Sequence, residues 1–170
     1  MSLLLESIKL SDGEFYNLSY HEQRMNRSLR MLCGVHDFVD LEKFLLDIEY
    51  PLQGLYKCWI VYDENSRDVE FVPYVPKPIQ TLRVVEHDRI NYEFKYTDRK
   101  VINRLFDLRR ECDDILVVKH GYITDSSYAN IVFKRGKHWI TPWSALLKGT
   151  QRQKLLEENQ IEEEDISLED

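Results

Sequence analysis

The chain opens on a strand-like run from Leu3 to Leu10, broken by Ser11-Asp12-Gly13-Glu14 and resumed as Phe15-Tyr16-Asn17-Leu18. Asp-Gly between two apolar runs predicts a hairpin, because both residues tolerate the positive φ that a tight turn requires. Ser19 follows as a candidate N-cap with Glu22 three residues on, the spacing of a capping box. The helix so started is expected from about Tyr20 to Leu32, ending before Gly34. Asp40 is placed to cap a second short helix with Leu41, Phe44, Leu45 and Ile48 on one face, closed by Pro51 and Gly54. Tyr56 to Tyr62 reads as a strand, Glu64-Asn65-Ser66 as a turn, and Val69 to Val75 as a strand that Pro73 confines to a sheet edge.

Thr81 to Val85 predicts another short strand, and 76–88 reads as a connection between two lobes, taken as 1–80 and 81–170. From Asp98, the residues Val101, Ile102, Leu105, Phe106 and Cys112 recur at helical spacing. Ile115 to Val118 is a strand ending at the turn His120-Gly121, and Asn130 to Phe133 a further strand. Arg135-Gly136-Lys137 turns into the strand His138 to Thr141. A last helix is expected after Gly149, decaying into an acidic tail. The pattern as a whole is α+β.

Charge is uneven in a way that narrows function. Residues 157–170 carry eight acids and no base, and the remainder of the 170-residue chain is close to neutral within a net charge of −7. No face or half is lopsidedly basic, which argues against a nucleic-acid partner. No apolar run approaches a membrane span and no signal-like start is visible, so neither membrane nor export is expected. Cys33, Cys58 and Cys112 have neither paired nor metal-ligand spacing, and read as reduced thiols of a cytoplasmic protein. None of the five histidines falls at a metal-ligand spacing.

Three segments could carry chemistry. Gly149-Thr150-Gln151-Arg152 opens a helix, and a glycine before a hydroxyl residue there presents backbone N–H groups to an anion; an ordinary solvated helix start is the plainer alternative. Lys95, between Phe94 and Tyr96, is either an exposed strand lysine or an amine suited to covalent chemistry with a carbonyl group. Asp125-Ser126-Ser127 with Asn130 reads as a polar loop. His21 and Arg24 share one helix face, which by itself reads as a solvated stripe.

The order of these segments resembles the class IV aminotransferases, the fold-type IV enzymes that bind pyridoxal 5′-phosphate (PLP). The resemblance rests on Leu5-Glu6-Ser7-Ile8-Lys9, His21-Glu22-Gln23-Arg24, Lys95 with Asp98 and Arg99, Gly121-Tyr122-Ile123-Thr124-Asp125-Ser126-Ser127, Asn130-Ile131, Thr141-Pro142 and Leu146-Leu147-Lys148-Gly149-Thr150-Gln151-Arg152. It covers most of the chain. It implies a two-lobed fold in a compact version, since the stretch from Gly34 to Pro78 is short for the family's small lobe.

The resemblance also implies roles. Lys95 matches the lysine that links covalently to the cofactor and then moves a proton. Arg24 matches the arginine paired with the cofactor phosphate, and Gly149, Thr150 and Gln151 match its second phosphate contact. Asp125 stands where most members carry a glutamate facing the pyridine nitrogen. Gln151 stands where many members carry a hydroxyl residue. Ser7 and Arg99 resemble aminodeoxychorismate lyase more than the branched-chain enzymes, so the reaction expected is release of pyruvate and 4-aminobenzoate, a folate precursor, from a small amino substrate. Transamination, or binding of the cofactor without turnover, are the alternatives. A homodimer is implied as well.

Overall fold

The computed structural model describes residues 3–170 and divides the chain into two compact units, Met1–Pro76 with Phe94–Asp98, and Lys77–Glu93 with Arg99–Asp170. In the first unit, β1 (Leu4–Ser11) pairs antiparallel with β2 (Glu14–Phe15) and along its whole length with β3 (Leu55–Tyr62). β4 (Arg67–Pro73) adds to β3, giving the order β2-β1-β3-β4 and putting Pro73 on an edge strand. The hairpin turn lies at Asp12 and Gly13, both at positive φ (50° and 83°), as the Asp-Gly pair predicts. The second arm is only two residues long.

Helix α1 (Leu18–Cys33) begins earlier than the capping-box reading expects. Its N-cap is Asn17, at φ 57°, and no side chain caps the first turn. Glu22 does not reach back to Ser19; its carboxylate accepts the Leu41 N–H at 2.8 Å and so ties α1 to the next helix. Gly34, at φ 69°, closes α1, its N–H donating to the Arg30 carbonyl as in the αL type of helix end, and the Val35 N–H donates to the Leu29 carbonyl. Asp40 caps α2 (Leu41–Leu46), its Oδ1 accepting the Lys43 N–H at 2.9 Å, and Leu41 and Leu45 point inward. Between the helices, the buried Asn26 carboxamide donates to the Val39 carbonyl and accepts the Val39 N–H, so a polar group in the core has both sides satisfied. Leu4, Ile8, Met25, Leu29, Cys58 and Ile60 form the centre of this core.

In the second unit, β5 (Leu82–Glu86) lies parallel to β6 (Asp114–Lys119), and β7 (Tyr122–Ser126) returns antiparallel across the His120-Gly121 turn. A parallel pair needs a crossover, and it contains α3 (Lys100–Phe106). That helix is shorter than its apolar spacing suggests; a single 3-10 turn at Asp107–Arg109 follows, and Cys112 lies beyond it. β6 is buried on both faces, Ile115 and Val117 joining Val85, Ile90, Ile102 and Leu105, and Leu116 and Val118 joining Ile123, Ile140 and Ile166. A strand covered on both sides has to be apolar throughout, which is why Ile115 to Val118 reads as a continuous run.

A second sheet has the order β10-β9-β8, from β8 (Phe133–Arg135), β9 (His138–Pro142) and β10 (Glu162–Glu164). The strand expected from Asn130 therefore starts only at Phe133. Helix α4 (Thr150–Glu157) starts after Gly149 as expected. The acidic tail is a correction: it folds back as β10, parallel to β9, with Ile161 and Ile166 buried on either side. Glu163 pairs with Arg152 at 2.6 Å and Glu164 with Arg135. Two arginines thus neutralise part of a segment whose composition alone suggests solvent. No helix among the described residues is long and apolar enough to cross a membrane.

Candidate active site

Within the first unit the chemistry gathers beside β1. Leu4, Glu6, Ile8 and Leu10 alternate as its buried face, so one carboxylate occupies a core position. A buried charge is tolerated only with a partner, and α1 supplies two. Arg24 grips Glu6 with both prongs of its guanidinium, Nε to Oε1 at 3.0 Å and Nη2 to Oε2 at 2.5 Å. His21 Nδ1 lies 2.6 Å from Oε2. Burial pushes the Glu6 carboxyl upward, but Arg24 and His21 outweigh it and hold the group below the usual glutamate range. Burial also holds His21 below the ordinary histidine range, Lys95 and Arg24 adding in the same direction. An ionised carboxylate only accepts, so the neutral imidazole carries its proton on Nδ1 and donates it to Glu6. His21 and Arg24 are therefore not a solvated stripe, which corrects the reading of that helix face.

Lys95 belongs to the same unit. It is not in a regular strand. The segment Phe94–Asp98 runs beside the start of β1, with Leu4 bridged to Tyr96. The Lys95 carbonyl accepts the Leu5 N–H at 2.8 Å, and the Thr97 N–H donates to Leu3. Phe94 and Tyr96, ring centroids 6.2 Å apart, pack against the first core on either side of it in sequence. The backbone of Lys95 is thus fixed at both flanks while its side chain is half-buried. Ser7 lies on the opposite face of β1 from Glu6, in register with Trp59.

The second unit holds the other candidates. Asp125 is on β7, buried, rather than in a polar loop. The chain then turns sharply, with the Ser126 N–H on the Ala129 carbonyl and Ser126 Oγ accepting the Ala129 N–H. That turn returns Asn130 to a bridge with Asp125. Asp125 Oδ1 accepts Asn130 Nδ2 at 2.7 Å, and Oδ2 accepts the Leu147 N–H at 3.1 Å. Burial pushes this carboxyl up to about 6, against hydrogen bonds from Leu147 and Asn130 and the charge of Arg152, which favour ionisation.

Gly149 is the N-cap of α4, and its N–H is committed to Asn130 Oδ1 at 3.0 Å. Thr150, half-buried, and Gln151, exposed, form the first turn. Arg99 stands at the start of α3 and donates from Nη2 to the Ser127 carbonyl. Sequence reasoning quoted both Glu6 and Asn130 in the resemblance, and noted Asn130 in a polar loop, but gave neither a role. The signal for Glu6 was its inward position on a period-two strand, which demands cationic partners on the helix packed above it.

The raised Asp125 carboxyl has a thermodynamic consequence. A group whose folded value lies above its unfolded value stabilises the fold below the unfolded value, and that contribution is lost as pH rises through the folded one. From 3.8 to about 6, the contribution lost corresponds to roughly 3 kcal/mol at 1.36 kcal/mol per unit. Compared by urea unfolding, wild type is expected to lose about that much relative to Asp125→Asn between about pH 4 and about pH 7. A stability difference that is flat across this range contradicts the assignment.

Comparison with known proteins shows the family. The family described as amino-transferase class IV matches residues 3–170. An uncharacterised protein of Haemophilus influenzae is 39% identical over 169 residues, covering 98% of this chain and 90% of that protein. A candidate aminodeoxychorismate lyase of Schizosaccharomyces pombe is 36% identical over 179 residues, covering 94% and 75%. Among solved structures, a candidate 4-amino-4-deoxychorismate lyase from Haemophilus somnus superposes at a TM-score of 0.93 with 35% identity, over 100% of this chain and 90% of that one. An aminotransferase from Brucella abortus, bound to PLP, has a TM-score of 0.75 at 21% identity, covering 99% and 73%, and shows likeness of fold. The two-unit α+β chain, with its lysine segment laid along β1 and its buried carboxylate on β7, is a member of the class IV aminotransferase family of enzymes.

Proposed function

We propose that this enzyme binds PLP through Lys95 and acts as a 4-amino-4-deoxychorismate lyase, releasing pyruvate and leaving 4-aminobenzoate for folate synthesis. The observation that carries the reading is the likeness to the Haemophilus somnus candidate lyase, 35% identical and with a TM-score of 0.93 over the whole of this chain. The Schizosaccharomyces pombe relative points the same way. A homodimer in the cytoplasm, acting on a small amino substrate, belongs to the same proposal.

The residues fit the cofactor by their donor chemistry. A half-buried primary amine on a fixed backbone, an arginine held rigidly at Glu6, a glycine-led helix start and a buried carboxylate are what an aldehyde, a phosphate and a basic ring nitrogen require. When bound, PLP supplies an electron-accepting ring conjugated to the substrate nitrogen.

The chain's own residues do the rest. Lys95 Nζ would hold the cofactor covalently, and its amine is suited to take and return a proton. Arg24 presents a guanidinium whose orientation Glu6 fixes, suited to the phosphate oxygens. Thr150 and Gln151, in the first turn of α4, are proposed as a phosphate contact. Asp125, in its ionised form, would favour a proton on the ring nitrogen. Ser7 and Arg99 are the residues proposed to face substrate.

The test is product analysis. Purified enzyme with PLP and 4-amino-4-deoxychorismate is expected to release pyruvate and 4-aminobenzoate in equal amounts, and not to transfer an amino group to 2-oxoglutarate. Amino transfer without pyruvate would replace the lyase by a transaminase, and neither product would overturn the proposed reaction.

A further inference from the structure

We propose that Asn130 is a positioning residue that sets the ring-side and phosphate-side contacts of the cofactor together. The inference rests on the PLP reading above and goes beyond it, since Asn130 is not among the groups proposed to touch the cofactor. Its carboxamide is used on every side. One nitrogen donates to Asp125 Oδ1 at 2.7 Å and to the Leu147 carbonyl at 2.8 Å, while Oδ1 accepts the Gly149 N–H at 3.0 Å. Asp125 closes the frame by accepting the Leu147 N–H. A single side chain thus joins the carboxylate on β7 to the three residues that lead into α4, and neither can shift without the other.

Gly149 shows how closely the frame is built. Its backbone is at φ −71° and ψ 149°, a conformation open to any residue, so conformational freedom is not what places glycine there. A Cβ at this position would instead collide with the Asn130 carboxamide oxygen. The absent side chain is therefore a requirement of the Asn130 contact, and Gly149→Ala disturbs the frame while leaving Asn130 in place. The shift of Asp125 toward neutrality is restrained by the same Asn130 donation.

The test compares affinity for PLP with affinity for pyridoxal, which lacks the phosphate, by absorbance titration of the wild-type, Asn130→Ala and Gly149→Ala proteins. Each variant is expected to bind PLP at least about tenfold more weakly, the scale of one or two lost hydrogen bonds. Each is also expected to show a smaller preference for PLP over pyridoxal, which a merely structural loss would not produce. Because both changes break one frame, the double variant is expected to bind about as weakly as the weaker single variant. If Asn130→Ala folds poorly, Gly149→Ala carries the same comparison. Unchanged affinity and preference in a wild-type protein that does bind PLP would overturn the positioning role alone. A wild type that takes up no PLP would overturn the cofactor reading and the inference with it.

Discussion

Replacing Lys95 by alanine is expected to abolish covalent attachment of PLP and to reduce turnover by at least about four orders of magnitude, the upper range of proton-transfer catalysis. The expectation follows from placement rather than from the residue type. Lysines on exposed strands are common, but Lys95 is held by a main-chain hydrogen bond to Leu5, and the next residue is bridged to Leu4. Its Cα cannot drift from β1, and its ammonium acts on the buried His21. The fold should survive the substitution, because the hydrogen bonds that lay this segment along β1 are main-chain bonds that alanine retains. A variant retaining more than about a hundredth of wild-type turnover would show that some other group moves the proton.

The second large effect is on stability. Glu6→Ala is expected to cost about 3–5 kcal/mol in urea unfolding, the scale for removing one member of a buried ion pair. The penalty arises because Arg24, 14% exposed along its side chain, would remain largely out of water without its carboxylate. Glu6→Ala combined with Arg24→Ala is expected to cost less than the two single changes added together. The sign of the pH dependence is fixed as well. The Glu6 carboxyl is held below its usual range, so its stabilisation is present above the unfolded value and is lost as pH falls through the folded one. The gap between wild type and Glu6→Ala should therefore narrow in acid. A loss below about 1 kcal/mol at neutral pH would mean the pair is a solvated contact. Arg24→Ala must also be read through this pairing: a loss of PLP affinity accompanied by an equal loss for pyridoxal reports the broken ion pair rather than the phosphate contact.

How much of this was legible before the structure follows from what each signal depends on. Local signals were read well. Asp12-Gly13, Asp40 and Gly34 each work through backbone conformation or a hydrogen bond within a few residues, and each does what its chemistry predicts. The capping box at Ser19 and Glu22 failed because a distant donor, the Leu41 N–H, competes for the same carboxylate. The acidic tail was misread for a related reason: Arg152 and Arg135, invisible as neighbours in sequence, make a short strand of glutamates tolerable.

The site followed the same division. Lys95, Arg24, Asp125 and Gly149 are proposed through the family pattern. Local spacing alone left Lys95 and Gly149 with ordinary alternatives, and assigned the arginine's helix face and the aspartate to solvated polar settings. Glu6 and Asn130 escaped because their importance lies in what they hold, across 18 and 19 residues of sequence respectively. The alternation on β1 did contain the clue for Glu6, since a carboxylate in the register of Leu4, Ile8 and Leu10 has to be neutralised. For Asn130 no comparable signal exists, because the turn at Ser126–Ala129 that returns it to Asp125 depends on side-chain capping that composition does not reveal.

The central claim, that this chain carries PLP on Lys95, is tested most directly by the visible absorbance of the purified protein with added PLP, before and after borohydride, followed by peptide mapping. The account predicts a yellow species whose colour is lost on reduction, with the cofactor mass on the peptide containing Lys95. A colourless protein without an adduct, or an adduct on a different lysine, would contradict it.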